Sequence, residues 1–145
     1  MPGYLLDVNV LIALMWPTHE SHALVRPWFR RNSGEDWATC PFTEAAFVRI
    51  VSNPMFFRDA VGPQEAIKIL ELNLKDPRHR FWADDVSLLE AIQPFSKKLF
   101  GHKQVTDAYL LGLARHKKGK FVSLDRGILD LLPEKSMGQE LVVIL

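Results

Sequence analysis

An α/β domain with a mainly parallel sheet, covered by helices on both faces, is predicted for this chain by the order of its segments. Short apolar stretches that read as strands alternate with amphipathic stretches that read as helices, from residue 4 to residue 145. Glycine and proline are scattered between them as punctuation, with no repeat and no low-complexity run. At 145 residues with 48% hydrophobic residues, the chain is long enough to bury one substantial core and is read as a single domain, 1–145.

The elements follow in order. Residues 4–6 read as a short buried strand, and residues 8–15 as a helix that follows almost without a loop until Pro17 stops it. Residues 19–32 give a second helix, with Ala23, Leu24, Trp28 and Phe29 on its apolar side, ended by Asn32-Ser33-Gly34. Residues 36–40 form a second strand, after which Thr43 is placed as the N-cap of a helix through Phe47, Val48 and Val51, closed by Asn53-Pro54. Residues 63–75 form an amphipathic helix whose apolar face is Ala66, Ile67, Ile69, Leu70 and Leu74. Residues 80–83 read as a strand, 88–93 as a short helix and 94–104 as a basic loop. Thr106 is placed as the cap of a helix over 107–117, with Ala108, Leu111 and Ala114 inward and Gly119 ending it. A strand at 121–124, a short helix at 128–132 and a last apolar strand at 141–145 complete the chain.

Composition excludes several classes of function. Eighteen Lys and Arg against 17 Asp and Glu leave a formal net charge of +1, so contact with nucleic acid must come from local basic clusters. A single cysteine, Cys40, allows no intramolecular disulfide and suits a reducing compartment. The apolar start MPGYLLDVNVLIALMW lacks a basic leading region, is interrupted by Asp7 and Asn9 and is too short to span a bilayer, so a cytoplasmic protein without a membrane anchor is expected.

Four acids occupy informative positions. Asp7 directly follows the first strand and Asp125 directly follows the strand at 121–124, while Glu44 and Asp107 each come just after a threonine at a helix start. In an open parallel sheet, the carboxyl ends of strands and the N-termini of the following helices share one edge, where ligands bind. Glu44 or Asp107 alone is explained by the helix dipole, and Asp125 alone by a turn. Asp7 stands inside an apolar run with no neighbouring cation to pair with, where a charge is costly. Two carboxylates at about 4 Å repel by about 4 kcal/mol at an effective dielectric of 20, so four convergent acids require raised pKa values or a cation. Oxygen ligands without His or Cys favour a hard ion, Mg²⁺ or Mn²⁺, which suits phosphodiester hydrolysis.

The stretches LLDVNVLIAL, TEAAFVRIVSNP and VTDAYLLGLARHKKGKFVSLD, with the short apolar strand at the end, resemble the PIN-domain ribonucleases, and particularly the VapC toxins of bacterial toxin–antitoxin pairs. The resemblance spans nearly the whole chain and implies a three-layer α/β/α fold and metal-dependent cleavage of RNA. It makes Asp7 and Asp107 the main metal ligands, with Glu44 and Asp125 completing the acidic pocket directly or through water. Asn9 and Ser123 stand where polar helpers occur in the family, a role that competes with local backbone hydrogen bonding. Ser123 is a mild departure, since relatives often carry Thr there. Thr106 stands beside them, with an N-cap as its simpler role.

Basic candidates for gripping RNA are Arg49, Lys97, Lys98, Lys103, Lys117, Lys118 and Arg126, with His102 as a further contact or a helix cap. The resemblance also implies a homodimer and a small VapB-like antitoxin seated in an apolar groove. Trp16, Trp28, Phe29, Met55, Phe56 and Phe57 are candidates for that groove or for the core. Two rivals remain. An apolar strand followed by Asp-x-Asx also opens phosphatases of the haloacid dehalogenase type, with Asp7 as nucleophile, although those enzymes need an acid where Asn9 stands. A non-catalytic cation- or RNA-binding module is the other.

Overall fold

In the computed structural model, which describes residues 3–145, Leu5 and Phe121 point into one apolar core while their neighbours Leu6 and Val122 point into another. That alternation, with all four side chains fully buried, is the mark of strands covered on both faces. The elements are β1 (Tyr4–Leu6), α1 (Val8–Met15), α2 (His22–Arg31), β2 (Trp37–Thr39), α3 (Pro41–Val51), α4 (Pro63–Asn73), β3 (His79–Phe81), α5 (Leu88–Ile92), α6 (Val105–His116), β4 (Lys120–Ser123), α7 (Lys135–Leu141) and β5 (Val142–Ile144). Short 3-10 segments lie at Gln93–Lys98, His102–Gln104 and Arg126–Leu131.

All strand pairings are parallel, in the order β3-β2-β1-β4-β5, with Leu5 beside Ala38 on one side and Phe121 on the other. The chain travels outward from β1 to β3, returns past β1 to β4, and continues to β5. Right-handed crossovers place helices on opposite faces for opposite directions of travel. The two cores divide accordingly: residues of α1 to α4 pack with Leu6, Trp37 and Val122, and residues of α5 to α7 pack with Leu5, Ala38 and Phe121. The expected three-layer α/β/α architecture is present. Its direction of travel reverses between β1 and β4, and the carboxyl ends of those two strands flank the switch point where open α/β sheets bind ligands.

Several local expectations are corrected. The N-cap of α3 is Cys40, in an extended conformation, with Pro41 at the first helical position where its missing N–H costs nothing. Thr43 lies one turn in, buried, and its hydroxyl accepts from the Cys40 N–H at 3.0 Å. Thr106 is likewise no cap. Gln104 stands at that position because the 3-10 turn before it runs straight into α6, and Gln104 Oε1 accepts from the Phe100 and Gly101 N–H groups. The stretch 94–104 is therefore mostly 3-10 turns rather than an open loop. The α2 core side is Val25 with half-buried Trp28 and Phe29, leaving Leu24 and, on α4, Ile67 about half exposed. Helix α7 was not expected: KSMGQEL has a central glycine and buries only Leu141, so it carries almost no periodic signal.

Gly119 closes α6 differently from expectation. Lys118 takes the left-handed turn, with φ 60°, and donates to Arg115 O, while Gly119 donates to Ala114 O. Glycine is required at 119 for space, because a Cβ there would meet Gly3 O and the Trp82 ring. Gly112 has the same kind of role, since a Cβ would run into the backbone carbonyl of Ala91 where α5 lies on α6. Gly112→Ala is expected to lower stability by about 2 kcal/mol, overpacking outweighing the roughly 1 kcal/mol that Ala gains in a helix. A urea midpoint equal to that of the wild type, with unchanged slope, would show that the two helices can separate freely.

Candidate active site

Asp7 is both a cap and an acid. It follows β1 in an extended conformation as the N-cap of α1, and its Oδ1 accepts from the Val8 N–H at 2.8 Å. Its Oδ2 accepts from the Ser123 hydroxyl at 2.7 Å, across 116 residues of chain. The residue is 7% exposed, and burial, opposed by these two hydrogen bonds and reinforced by the charge of Asp125, holds its carboxyl above the ordinary range.

Ser123, the last residue of β4, uses its full hydrogen-bonding capacity. It donates to Asp7 and accepts from the Asn9 amide at 3.2 Å and from the Asp125 N–H at 3.0 Å. Asn9 Oδ1 in turn accepts from the Leu124 N–H at 3.2 Å. These bonds join the carboxyl ends of the two central strands and leave the Ser123 proton one direction in which to point. Asn9 is thus a bracket between backbone and side chain, and no acid stands in its place.

Asp107 approaches from the other side, in the first turn of α6. Half-buried, it has its pKa pushed up to about 7, by burial first and then by the charges of Asp7 and Asp125. Asp125 is exposed after β4, where its Oδ1 accepts from the Gly127 N–H at 2.8 Å and starts a 3-10 turn. Three of the four sequence-identified acids therefore act on one another. Glu44 comes from α3, on the opposite face of the sheet from α6. Its Oε2 accepts from the Thr39 hydroxyl at 2.6 Å, and it is not among the charges that raise Asp107 or Asp7.

Among the described residues no three His, Cys, Asp or Glu side chains converge into a ready-made metal cage. A magnesium-like ion does not need one, since it keeps several waters and is held by one or two carboxylates. The all-oxygen donor set and the like-charge burden on Asp7 and Asp107 fit a hard divalent cation.

Thr106 is exposed in the first turn of α6. His102 and Lys103 are exposed in the 3-10 turn that enters α6, Lys97 and Lys98 at the end of the preceding one, and Arg126 beside Asp125. None of these basic residues forms an ion pair among the described residues, nor does Arg49, which sits in the last turn of α3. Lys117 is occupied by Asp85 at 2.8 Å. Trp16, Trp28, Phe29 and Phe57 are largely core, whereas Met55 and Phe56 are exposed. A cleft of about 580 Å³ lined by Arg26, Arg30, Trp37 and Arg78 lies at the amino ends of β2 and β3, the edge opposite the acids.

Sequence reasoning missed Thr39, His79 and Asp84. Thr39 closes β2 as Ser123 closes β4, and that shared position was the available signal. Asp84 follows β3 and accepts from the hydroxyl of Tyr109, two residues beyond Asp107 on α6, at 2.8 Å.

Residues 4–132 match a family described as the PIN domain. The chain is 44% identical over 131 residues to Ribonuclease VapC38 of Mycobacterium tuberculosis (strain ATCC 25618 / H37Rv), covering 90% of this chain and 91% of that protein. It is 41% identical over 126 residues to Ribonuclease VapC39 of the same strain, with 87% and 91% covered. Among solved structures it is similar to VapBC2 from Rickettsia felis bound to a promoter DNA fragment, with a TM-score of 0.65, 11% identity and 98% of both chains covered. It is also similar to DNA-bound VapBC from Salmonella typhimurium, with a TM-score of 0.64, 12% identity, and 99% of this chain and 98% of that chain covered.

Proposed function

The chain belongs to the PIN-domain family, and from that membership we propose that it is a VapC-type toxin, a divalent-metal-dependent endoribonuclease that hydrolyses phosphodiester bonds of RNA. The observation that carries the mechanism is the placement of Asp7 at the carboxyl end of β1 and of Asp107 in the first turn of α6, on the switch-point edge of the sheet, where burial and its neighbours' charges push the Asp107 carboxyl up to about 7. Asp7 and Asp107 would hold the cation, with Glu44 and Asp125 completing the site directly or through water. Mg²⁺ or Mn²⁺ there supplies charge neutralisation at the phosphate and a water activated for attack.

The chain's own groups do the rest. Ser123 fixes the direction of the Asp7 carboxylate, Asn9 and the backbone of Leu124 hold Ser123 in place, and Asp125 is aimed by the Gly127 N–H. Lys103, His102 and Arg126, exposed along the same edge, bind phosphates flanking the scissile bond, with Lys97 and Lys98 extending the basic strip. A VapB-like antitoxin is the partner, and of the bulky residues singled out for its groove, Met55 and Phe56 are the ones exposed for it or for a second copy of the chain. No helix of the described residues is long and apolar enough to cross a membrane, and residues 1–145 act as one domain in the cytoplasm.

Purified protein is expected to cut single-stranded RNA when Mg²⁺ or Mn²⁺ is present, to stop when EDTA is added, and to resume when excess metal is restored. Cleavage that persists in EDTA would remove the metal from the reading. Absence of cleavage in either metal, with an RNA pool of varied sequence, would remove the activity.

A further inference from the structure

We propose that Thr39 and His79 are positioning residues for Glu44: a hydrogen-bond chain from His79 through the Thr39 hydroxyl sets the direction from which the Glu44 carboxylate serves the acid cluster. The inference rests on the ribonuclease reading and on Glu44 belonging to its site.

Donor and acceptor chemistry gives the chain one direction. A carboxylate oxygen accepts, so the Thr39 proton goes to Glu44 Oε2, at 2.6 Å. Thr39 Oγ1 must then accept from His79 Nε2, at 2.7 Å, which puts the imidazole proton on Nε2. Both contacts are at the short end of their class. Thr39 is fully buried, so water does not compete for its hydroxyl, and successive bonds in such a chain strengthen one another.

The fold assembles these three groups from distant parts of the sequence. Thr39 is the last residue of β2, and the β2–β3 register sets Trp37 beside His79 and Thr39 beside Phe81, so the His79 side chain emerges on the face Thr39 uses. The Trp37 ring lies 4.8 Å from the imidazole, centroid to centroid, and limits its rotation. Pro41 at the start of α3 fixes the entry of the helix that carries Glu44. Valine would fill the buried Thr39 site as well as threonine does in shape; only the hydroxyl distinguishes them.

Glu44 is half-buried on a flexible side chain, and the Thr39 hydroxyl is the hydrogen-bond partner that orders its carboxylate. Fixing its carboxylate beforehand removes the cost of ordering it during the reaction.

The test compares Thr39→Val, Thr39→Ser, Glu44→Gln and the double variant Thr39→Val/Glu44→Gln, each checked for folding by thermal melting. Thr39→Val is expected to lower kcat by about 10- to 100-fold, with KM for RNA within about twofold of wild type. Thr39→Ser, which keeps the hydroxyl, should recover most of the loss. The double variant should be no slower than Glu44→Gln alone, since Thr39 acts through Glu44. Losses that multiply, or a Thr39→Ser variant as slow as Thr39→Val, would overturn the positioning role. Independently of activity, ¹⁵N spectra of wild-type protein should show His79 protonated on Nε2; a proton on Nδ1 alone overturns the chain. Wild-type protein that cuts no RNA sinks the ribonuclease reading and this inference with it. Active protein with the wrong tautomer or with multiplying losses sinks the positioning role only.

Discussion

Replacing Asp7 by Asn is expected to reduce RNA cleavage by about a thousandfold or more while leaving the protein folded. The substitution preserves shape and removes the charge on which metal binding depends. It leaves one oxygen for the Val8 N–H and turns an amide toward Ser123, whose hydroxyl already accepts from Asn9 and from the Asp125 N–H. The Ser123 proton then loses its acceptor, at a cost of about 1 kcal/mol. Relief of the burial penalty on Asp7, the largest influence on its carboxyl, opposes that cost. The melting temperature should therefore move by only a few degrees, on the order of 2–4 °C per kcal/mol. A folded Asp7→Asn protein that cleaves at the wild-type rate would remove Asp7 from the chemistry altogether.

Asp107→Asn is expected to end cleavage and, in metal-free protein, to raise the melting temperature, more at pH 8 than at pH 5. The sign follows from the carboxyl of Asp107, raised from 3.8 to about 7. Between those values the folded chain keeps a proton that the unfolded chain has released, so stability falls as pH rises from about 4 and the full penalty is present above about 7. The displacement corresponds to about 4 kcal/mol if no solvent intervened, and to about 1–2 kcal/mol once screening at this half-buried group is allowed for. That predicts a rise on the order of 3–6 °C at pH 8. Millimolar Mn²⁺ should stabilise the wild type by about 1–2 kcal/mol if it binds several-fold below that concentration, and should do much less for the variant. An Asn variant no more stable than wild type at pH 8 would mean that the acids do not burden the fold. Equal responses to Mn²⁺ would mean that Asp107 does not hold the ion.

Both predictions begin from residues that the sequence singled out, and the reason they were legible is local. Asp7 follows a short run of apolar residues that reads as a buried strand, and its helix begins at the next residue, so the edge it occupies follows from chain order. Asp107 in the first turn of α6 and Asp125 just beyond β4 are placed by the same adjacency. Cap positions were less legible, because Thr43 and Thr106 carry capping chemistry but lie beyond the helix starts that Cys40 and Gln104 occupy. In α7 a seven-residue helix with one buried side chain is imposed by packing rather than written in a pattern.

The primary structure alone thus determined which acids stand at strand and helix ends, and hence which edge of the sheet they share. Only the tertiary structure decided which side chains answer to one another. Ser123 meets Asp7 because β4 returns to lie beside β1, and His79 meets Thr39 because β3 lies beside β2 in one register. Glu44 arrives from the face opposite Asp107 because crossovers of one hand place outward- and inward-travelling helices on different sides of the sheet. Hydrogen bonds between residues 40 and 116 positions apart depend on strand order and register, and no local pattern in the chain encodes either.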